Sequence, residues 1–546
     1  MSASTHRPET STGAIAEPVE RAGPAESTSL TAFTALTAPR LRRRALLLSA
    51  TAGAALAACG GMPAAPDIPM DAAQRLRAAD RIGWGATQAQ LAEIERMGWG
   101  PYVERQLKPD VKAPMPGPVQ ARIDAMGISQ GDVAARVWAA ESFRRNGDKG
   151  ATEDERAAAR KAYQEAQGLA ARETGERQLL RELYARQQLL EQLSWFWFNH
   201  FNVHQGKRDI RLLLSDYQDR ALRPHALGSF RAMLGAVARH PAMLRYLDND
   251  QNAVRGLNEN HARELLELHT LGVDGGYTQR DVQELARVLT GFGVRVDPEP
   301  AKVAPRWESL YQRDGLFEFH PARHDFGDKQ LLGRTIKGSG AKELDEVLDL
   351  LVAQPATARF VCRKLAVFFL SDQPPPELVD AMALAFLKTR GDIAATMRPM
   401  LYAAAFTSTD APKFKDPHRY LLSSLRAGFE QRELVNAQPL QNWLRRLGQG
   451  LFDKQTPDGY PLTADAWNSP GQMTLRFEVA RQIGTGAAAL YRPEGTTGPV
   501  PMPDLQPLRA RVEPTLAPST RGALAQTTSP QQWLTLWLSS PDFMYR

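Results

Sequence analysis

The chain has 546 residues, of which 43% are hydrophobic and 23% charged, with a formal net charge of +6. That length accommodates one large domain or two to three ordinary ones, and the composition is globular rather than disordered or membrane-filling. Residues 1–58 hold six arginines against four glutamates, which leaves about +4 for the rest, too little and too dispersed for a nucleic-acid surface.

Residues 1–39 are rich in Ser, Thr, Ala, Pro and Glu without a sustained period and read as a disordered leader. Residues 40–59 read as an export signal. Arg40, Arg42, Arg43 and Arg44 precede a 14-residue apolar run, Ala45 to Ala58. The run is too short to span a bilayer but has the length and flanks of a secretory signal. Arg43-Arg44-Ala45-Leu46-Leu47 resembles the twin-arginine export motif. Leu56-Ala57-Ala58-Cys59 resembles a bacterial lipobox, which would make Cys59 the lipidated first residue of the mature protein. Gly60 after that cysteine points, by analogy, to outer-membrane sorting. The expected location is therefore the periplasmic face of the cell envelope, with membrane contact through the lipid. Residues 60–79 read as a linker and 80–546 as a single large helical domain. The other cysteine, Cys362, lies in the amphipathic run "ARFVCRKLAVFFL" and reads as a buried free thiol, so no disulfide framework exists.

From Ala86 onward most of the chain has helical period. Thr87 is placed to cap a helix running to Leu107. Residues 109–118, with four prolines, form a connection. Residues 150–170 read as a solvated helix, and "ERQLLRELYARQQLLEQLSWFWFNHF" as one long helix ending in an aromatic cluster. Further helices are expected at Leu344–Val352, Ala356–Leu370, Pro376–Leu387 and Ile393–Ala405. Gly315 to Ile336 breaks the pattern, with two short apolar runs flanking a polar turn, and suits a small β-hairpin. The fold class is thus mainly α, a multi-helix bundle with one small β-hairpin insertion.

The stretch Leu257 to Gln279 carries the densest chemistry. At 100° per residue from Leu257, the leucines and Ala262 occupy one arc, while Glu259, Arg263 and Glu267 form an i, i+4 ladder on the other side. His261, Glu264 and His269 project at about 40°, 340° and 120°, among the leucines. A carboxylate turned inward must be paired, hydrogen-bonded or protonated. Glu264 is therefore either a structural carboxylate or a site carboxylate. His261 and His269 stand roughly 12 Å apart along the axis and cannot share a metal ion. Other segments offer partners. His200 and His204 in "WFWFNHFNVH" have i, i+4 spacing, compatible with a metal or with ordinary core histidines. His324-Asp325 sits in the expected hairpin loop. Asp281 projects beside Val288 and Phe292, and either faces inward or caps its own helix behind Thr278. Phosphate-binding glycine loops, nucleophile elbows, HExxH and CxxC pairs are absent from the sequence.

At these residues the chain resembles a bacterial family catalogued as domain of unknown function 1800. The resemblance runs from about Asp80 to Arg546 and is carried by "RIGWGATQAQLAEI", "WFWFNHFNV", "PAMLRYLDN", "GLNENHARELLELHTLGVDGGYTQRDV", "HDFGDKQLLG" and "SPDFMYR". It implies a secreted, largely helical bacterial protein. It also implies an exported partner from domain of unknown function 1501, a family similar to alkaline-phosphatase-like enzymes whose genes often adjoin. Asn199, His200, Asn258, Glu259, Asn260, Arg263, Glu264, His269, His324 and Asp325 match family motif positions. His204 and His261 depart from it, since Phe and Tyr are common there, which weakens a zinc site built on them.

Two functions follow. In one, His200, Glu264, His269, His324 and Asp325 converge as the catalytic set of a hydrolase or divalent-metal enzyme, with Asn199, Asn258, Glu259, Asn260, Arg263 and Asp281 as binding residues. In the other, the same residues order the bundle of a lipid-anchored scaffold or binding module. The absence of any catalytic motif favours the second.

Overall fold

Helix start and stop signals account for most elements of the computed structural model, which describes residues 68–546 apart from 151, 411, 494 and 499. The leader, the export signal and Cys59 lie outside the described residues. Ala64–Arg546 forms one compact unit. Its first helix, Ala72–Ile82, begins inside the stretch read as linker and opens with a capping box between Asp71 and Gln74.

Thr87 caps Gln88–Met97 by accepting from Gln90 N at 3.2 Å. That helix does not continue to Leu107. It stops at Gly98, whose φ of +82° favours glycine, and a second helix covers Trp99–Leu107. Further on, the solvated stretch fuses with the first half of the next pattern into one helix, Glu153–Tyr184. Ala185 is extended and ends it. The cause is Gln188, whose Nε2 donates to the carbonyls of Glu182 and Ala185 at 3.1 and 2.8 Å and satisfies the helix end. The aromatic helix is then Gln188–His200. All its residues except Ser194 are buried, the polar Gln188, Glu191, Gln192, Asn199 and His200 included. Lys342–Val352, Pro355–Phe369, Pro376–Lys388 and Ile393–Leu401 follow closely the helices read from the sequence.

Strand structure among the described residues is confined to Phe292–Ile336. Strands β1 (Phe292–Val294), β2 (Gln312–Asp314) and β3 (Phe317–Phe319) form an antiparallel sheet in the order β1-β3-β2. A hairpin does form within the segment, but between β4 (Lys329–Leu331) and β5 (Arg334–Ile336), so the turn that holds His324-Asp325 is not its loop. The other apolar run of that segment, β3, pairs outside it. Asp281 joins the hairpin to the bundle. Its Oδ2 accepts from Thr278 N and Oγ1 at 2.8 and 2.6 Å, closing a capping box on Gln279–Val288, and its Oδ1 accepts from Leu332 N at 2.7 Å. Cys362 is fully buried, and burial pushes its thiol up. No helix among the described residues is long and apolar enough to cross a membrane.

Asp281→Ala removes both the cap and the hairpin tether. It is expected to lower stability by about 1–2 kcal/mol in chemical denaturation and to speed amide exchange in 329–336 while the rest of the bundle stays protected.

Candidate functional site

Three imidazoles are buried near one another: His200 at the end of the aromatic helix, His261 in the helix Asn260–Glu267, and His269 just beyond that helix. His200, His261 and His269 are each at most 1% exposed. His200 Nε2 lies 3.1 Å from the His269 carbonyl, and a carbonyl only accepts, so Nε2 carries the proton and Nδ1 is bare. Phe196 stacks on the His200 ring, while Trp197 and Phe201 meet it edge-on. The two rings, His200 and His269, have centroids 6.2 Å apart. Nδ1 of His200 and both ring nitrogens of His261 and of His269 have no hydrogen-bond partner. Burial, then Lys364 and His269, holds His200 well below the usual imidazole range, and burial, then His261 and Lys364, does the same for His269. Burial alone takes His261 to about 4. All three are neutral at pH 7.

Above them lies a polar rim. Glu264 is half-buried rather than buried, and Glu259 and Glu267 have the same degree of burial. Burial, then Glu267 and Asp458, raise its carboxyl to about 6, against a smaller opposing effect of Arg263. Lys364 projects from Pro355–Phe369 with Nζ 5.4 Å from the Phe360 ring centroid. Burial brings it down to about 8, opposed by Asp458. Asp458 belongs to a segment clamped onto the end of the aromatic helix. Asn199 Nδ2 donates to Tyr460 O at 2.9 Å and its Oδ1 accepts from Tyr460 N at 2.6 Å. Asn202 Nδ2 donates to the carbonyls of Lys454 and Thr456 at 3.0 and 2.8 Å. The contact is so close that a Cβ at Gly459, where φ is +76°, would sit 2.0 Å from the Asn199 carbonyl oxygen.

The other predicted residues go elsewhere. His324 is buried against Glu343, with Nε2 to Oε1 at 2.9 Å, and Nδ1 lies 2.8 Å from Thr290 O. Both ring nitrogens thus face oxygen atoms of the network. Lys329 pairs with the other Glu343 oxygen. Asp325 is bound by Arg287 at 2.8 Å. No hydrogen bond, ion pair or ring contact among the described residues joins this network to His200, Glu264 or His269. Asn258 and Asn260 order the loop before their helix: Asn258 Oδ1 accepts from Asn260 N at 3.0 Å, and Asn258 N donates to Asn252 Oδ1 at 2.9 Å. Arg263 pairs with Glu259 at 3.0 Å, and Gln279 bridges both. The ladder ends there, because Glu267 instead accepts from Tyr277 OH at 3.2 Å. His204 lies beyond the helix, which ends at His200, so the i, i+4 face it needed does not form. No group of three or more His, Cys, Asp or Glu among the described residues is arranged to hold a metal ion.

Lys364 and Asp458 are absent from the sequence-derived set. Lys364 was legible, since it sits four residues from both Phe360 and Phe368 on an apolar row. Asp458-Gly459 reads only as a turn.

The family described as "Protein of unknown function (DUF1800)" matches residues 77–545. The chain belongs to the DUF1800 family. No curated protein and no solved structure matches it. The DUF1800 match spans the buried imidazoles, the rim and the His324 network alike.

Glu264 makes a signed test. Its folded pKa of about 6 lies above the ordinary 4.5, so the ionised form disfavours the native state, and stability is lost as pH rises from 4.5 through 6. Glu264→Gln is expected to be more stable than the parent by about 1 kcal/mol at pH 8, after screening is discounted, and equal to it at pH 4. Urea denaturation at both pH values reads the difference.

Proposed function

We propose that this DUF1800 protein is a lipid-anchored scaffold or binding module for an exported partner. One observation carries the reading: His200, His261, His269 and His324 are all buried, at 1%, 1%, 0% and 4% exposure. A general acid or base must come within hydrogen-bond reach of the proton it moves, directly or through one water. Core imidazoles that are neutral, or tied to a buried carboxylate, instead suit a rigid platform. The basic head, short apolar run and "LAAC" support export and acylation at Cys59. A member of domain of unknown function 1501 is the partner that the family resemblance suggests.

Co-expression of the full chain with the neighbouring exported protein tests this. The two are expected to co-purify in fixed ratio from the membrane fraction, with diacyl- or triacyl-modified Cys59 in the mass spectrum. Cys59→Ser is expected to free the complex from the membrane without splitting it. An intact leader on a non-membrane protein overturns the anchor, and two separate peaks in size exclusion overturn the partner.

A second reading has its own observation. A carboxyl near 6 and an ammonium near 8 on one rim are poised for acid–base work around neutral pH. An enzyme using them would show a bell-shaped rate profile with limbs near those values, and Glu264→Gln would erase the acid limb.

A further inference from the structure

A cleft of about 740 Å³ is lined by the first helix and by segments from Leu508 onward. Its volume suits a small-molecule ligand. Four cations line it, Arg77, Lys415, Arg511 and Arg546, against two carboxylates, Asp80 and Asp542. Both carboxylates are committed. Asp542 accepts from Ala517 N at 2.9 Å and from Thr520 Oγ1. Asp80 lies 3.4 Å from Lys415 Nζ. Burial would raise its carboxyl, but Lys415, Arg419, Arg546 and Arg77 together keep it below the ordinary carboxylate value.

The cations are less evenly served. Arg546 donates to the carbonyls of Arg81 and Phe368. Lys415 pairs with Asp80 and lies 3.9 Å from the Phe543 ring centroid. Arg77 is half-buried and feels the charges of Asp80 and Asp542, yet its guanidinium makes no hydrogen bond and no close ion pair with any described residue. Arg511 makes a single long bond, 3.5 Å to Ala427 O, and its buried Nε has no partner. A guanidinium has five N–H donors, and these two keep most of theirs free for a ligand that enters the cleft. Two such forks on one cleft are suited to a planar or tetrahedral oxyanion. The remaining wall is mostly apolar, with Leu508, Val512, Leu516 and Trp537, and carries the hydroxyls of Thr409, Ser423 and Thr515.

We propose that this cleft binds a small apolar acid, its carboxylate or phosphate held by Arg77 and Arg511 and its hydrocarbon body packed against Leu508, Val512, Leu516 and Trp537. This site goes beyond the scaffold reading and stands independently of it. Titration calorimetry on the full chain tests it with four probes: octanoate, octyl phosphate, inorganic phosphate and octanol. At least one octyl acid is expected to bind about tenfold more tightly than octanol and than inorganic phosphate, and whichever acid binds names the headgroup. Arg77→Gln and Arg511→Gln are each expected to weaken binding about tenfold, while Arg220→Gln, in a different cleft, leaves it unchanged. Arg77→Lys, which keeps the charge but loses the fork, is expected to weaken binding also and replaces the Gln variant should that fail to fold. Displacement of a fluorescent naphthalene sulfonate by octanoate from the unaltered chain reads the site without any variant. Absence of binding by both acids, equal binding of octanol or of bare phosphate, no displacement, or full affinity in the Arg77 and Arg511 variants overturns the proposal.

Discussion

A guanidinium removed from water needs acceptors, and this protein buries Arg81, Arg419, Arg426, Arg476 and Arg546. Main-chain carbonyls meet most of that need. Arg81 reaches Ala405, Phe406 and Ser408; Arg419 reaches Asp80 and Gly83; Arg426 reaches Gly85 and Leu183. Arg476 donates to Lys415 O at 2.7 Å, and Arg546 closes back on Arg81 and Phe368. Burial lowers Arg81, Arg419, Arg426 and Arg476 to about 10, which still leaves them charged at neutral pH. Each bond joins segments far apart in sequence, so these cations set how the first helix, the helix Pro417–Phe429 and the last residues fit together. Removing one would strand several carbonyls and open the packing around it. Arg77 and Arg511 lie at the edge of the same assembly, where the supply of carbonyls runs out.

The histidines answer the same constraint in a different way. An imidazole can shed its proton, so His200 and His269 sit in an apolar setting as neutral rings, with one fixed tautomer at His200. His324 keeps company with charge, because Glu343 and Lys329 are buried beside it. His418 follows a third pattern: Nε2 lies 2.7 Å from Glu182 while Trp84 and Trp195 flank the ring. Four buried histidines thus occupy three electrostatic settings. Among the predicted site residues, half-buried Glu264 has its carboxyl raised, whereas half-buried Asp281 and Asp325 have theirs lowered.

Local pattern was readable where local physics decides. The Thr87 cap and the inward turn of His261 and His269 follow from capping and period, whereas the hairpin expected across the His324-Asp325 turn forms instead after Phe326, because β3 finds its partners in β1 and β2. Glu264 shows where a wheel becomes ambiguous: at about 340° it stands at the border of the apolar arc, and it is half-buried. The break at Ala185 left no trace in the pattern, since the apolar period continues across it and the stop comes from a glutamine side chain folding back. The separation of His324 from His200 was likewise invisible, because both are rigidly held by partners remote in sequence, Glu343 and the carbonyl of His269. The clamp of Asn199 and Asn202 on Lys454–Tyr460 depends on residues some 250 positions apart, and asparagines near a helix end ordinarily signal no more than a cap or a turn.

The bond from Arg546 to the carbonyl of Arg81 spans 465 positions. The same carbonyl also accepts from Gln192 Nε2 at 3.1 Å, so the aromatic helix claims the end of the first helix in part, and Arg419 and Arg546 complete it from hundreds of positions downstream. Contacts of that separation slow folding, because a long loop must close before the bond returns anything. Until then the apolar surface around Arg81 is open to wrong partners. Closure of the first helix onto the bundle therefore waits for residues hundreds of positions downstream, and a chain interrupted before Arg419 and Arg546 is still unable to close its core.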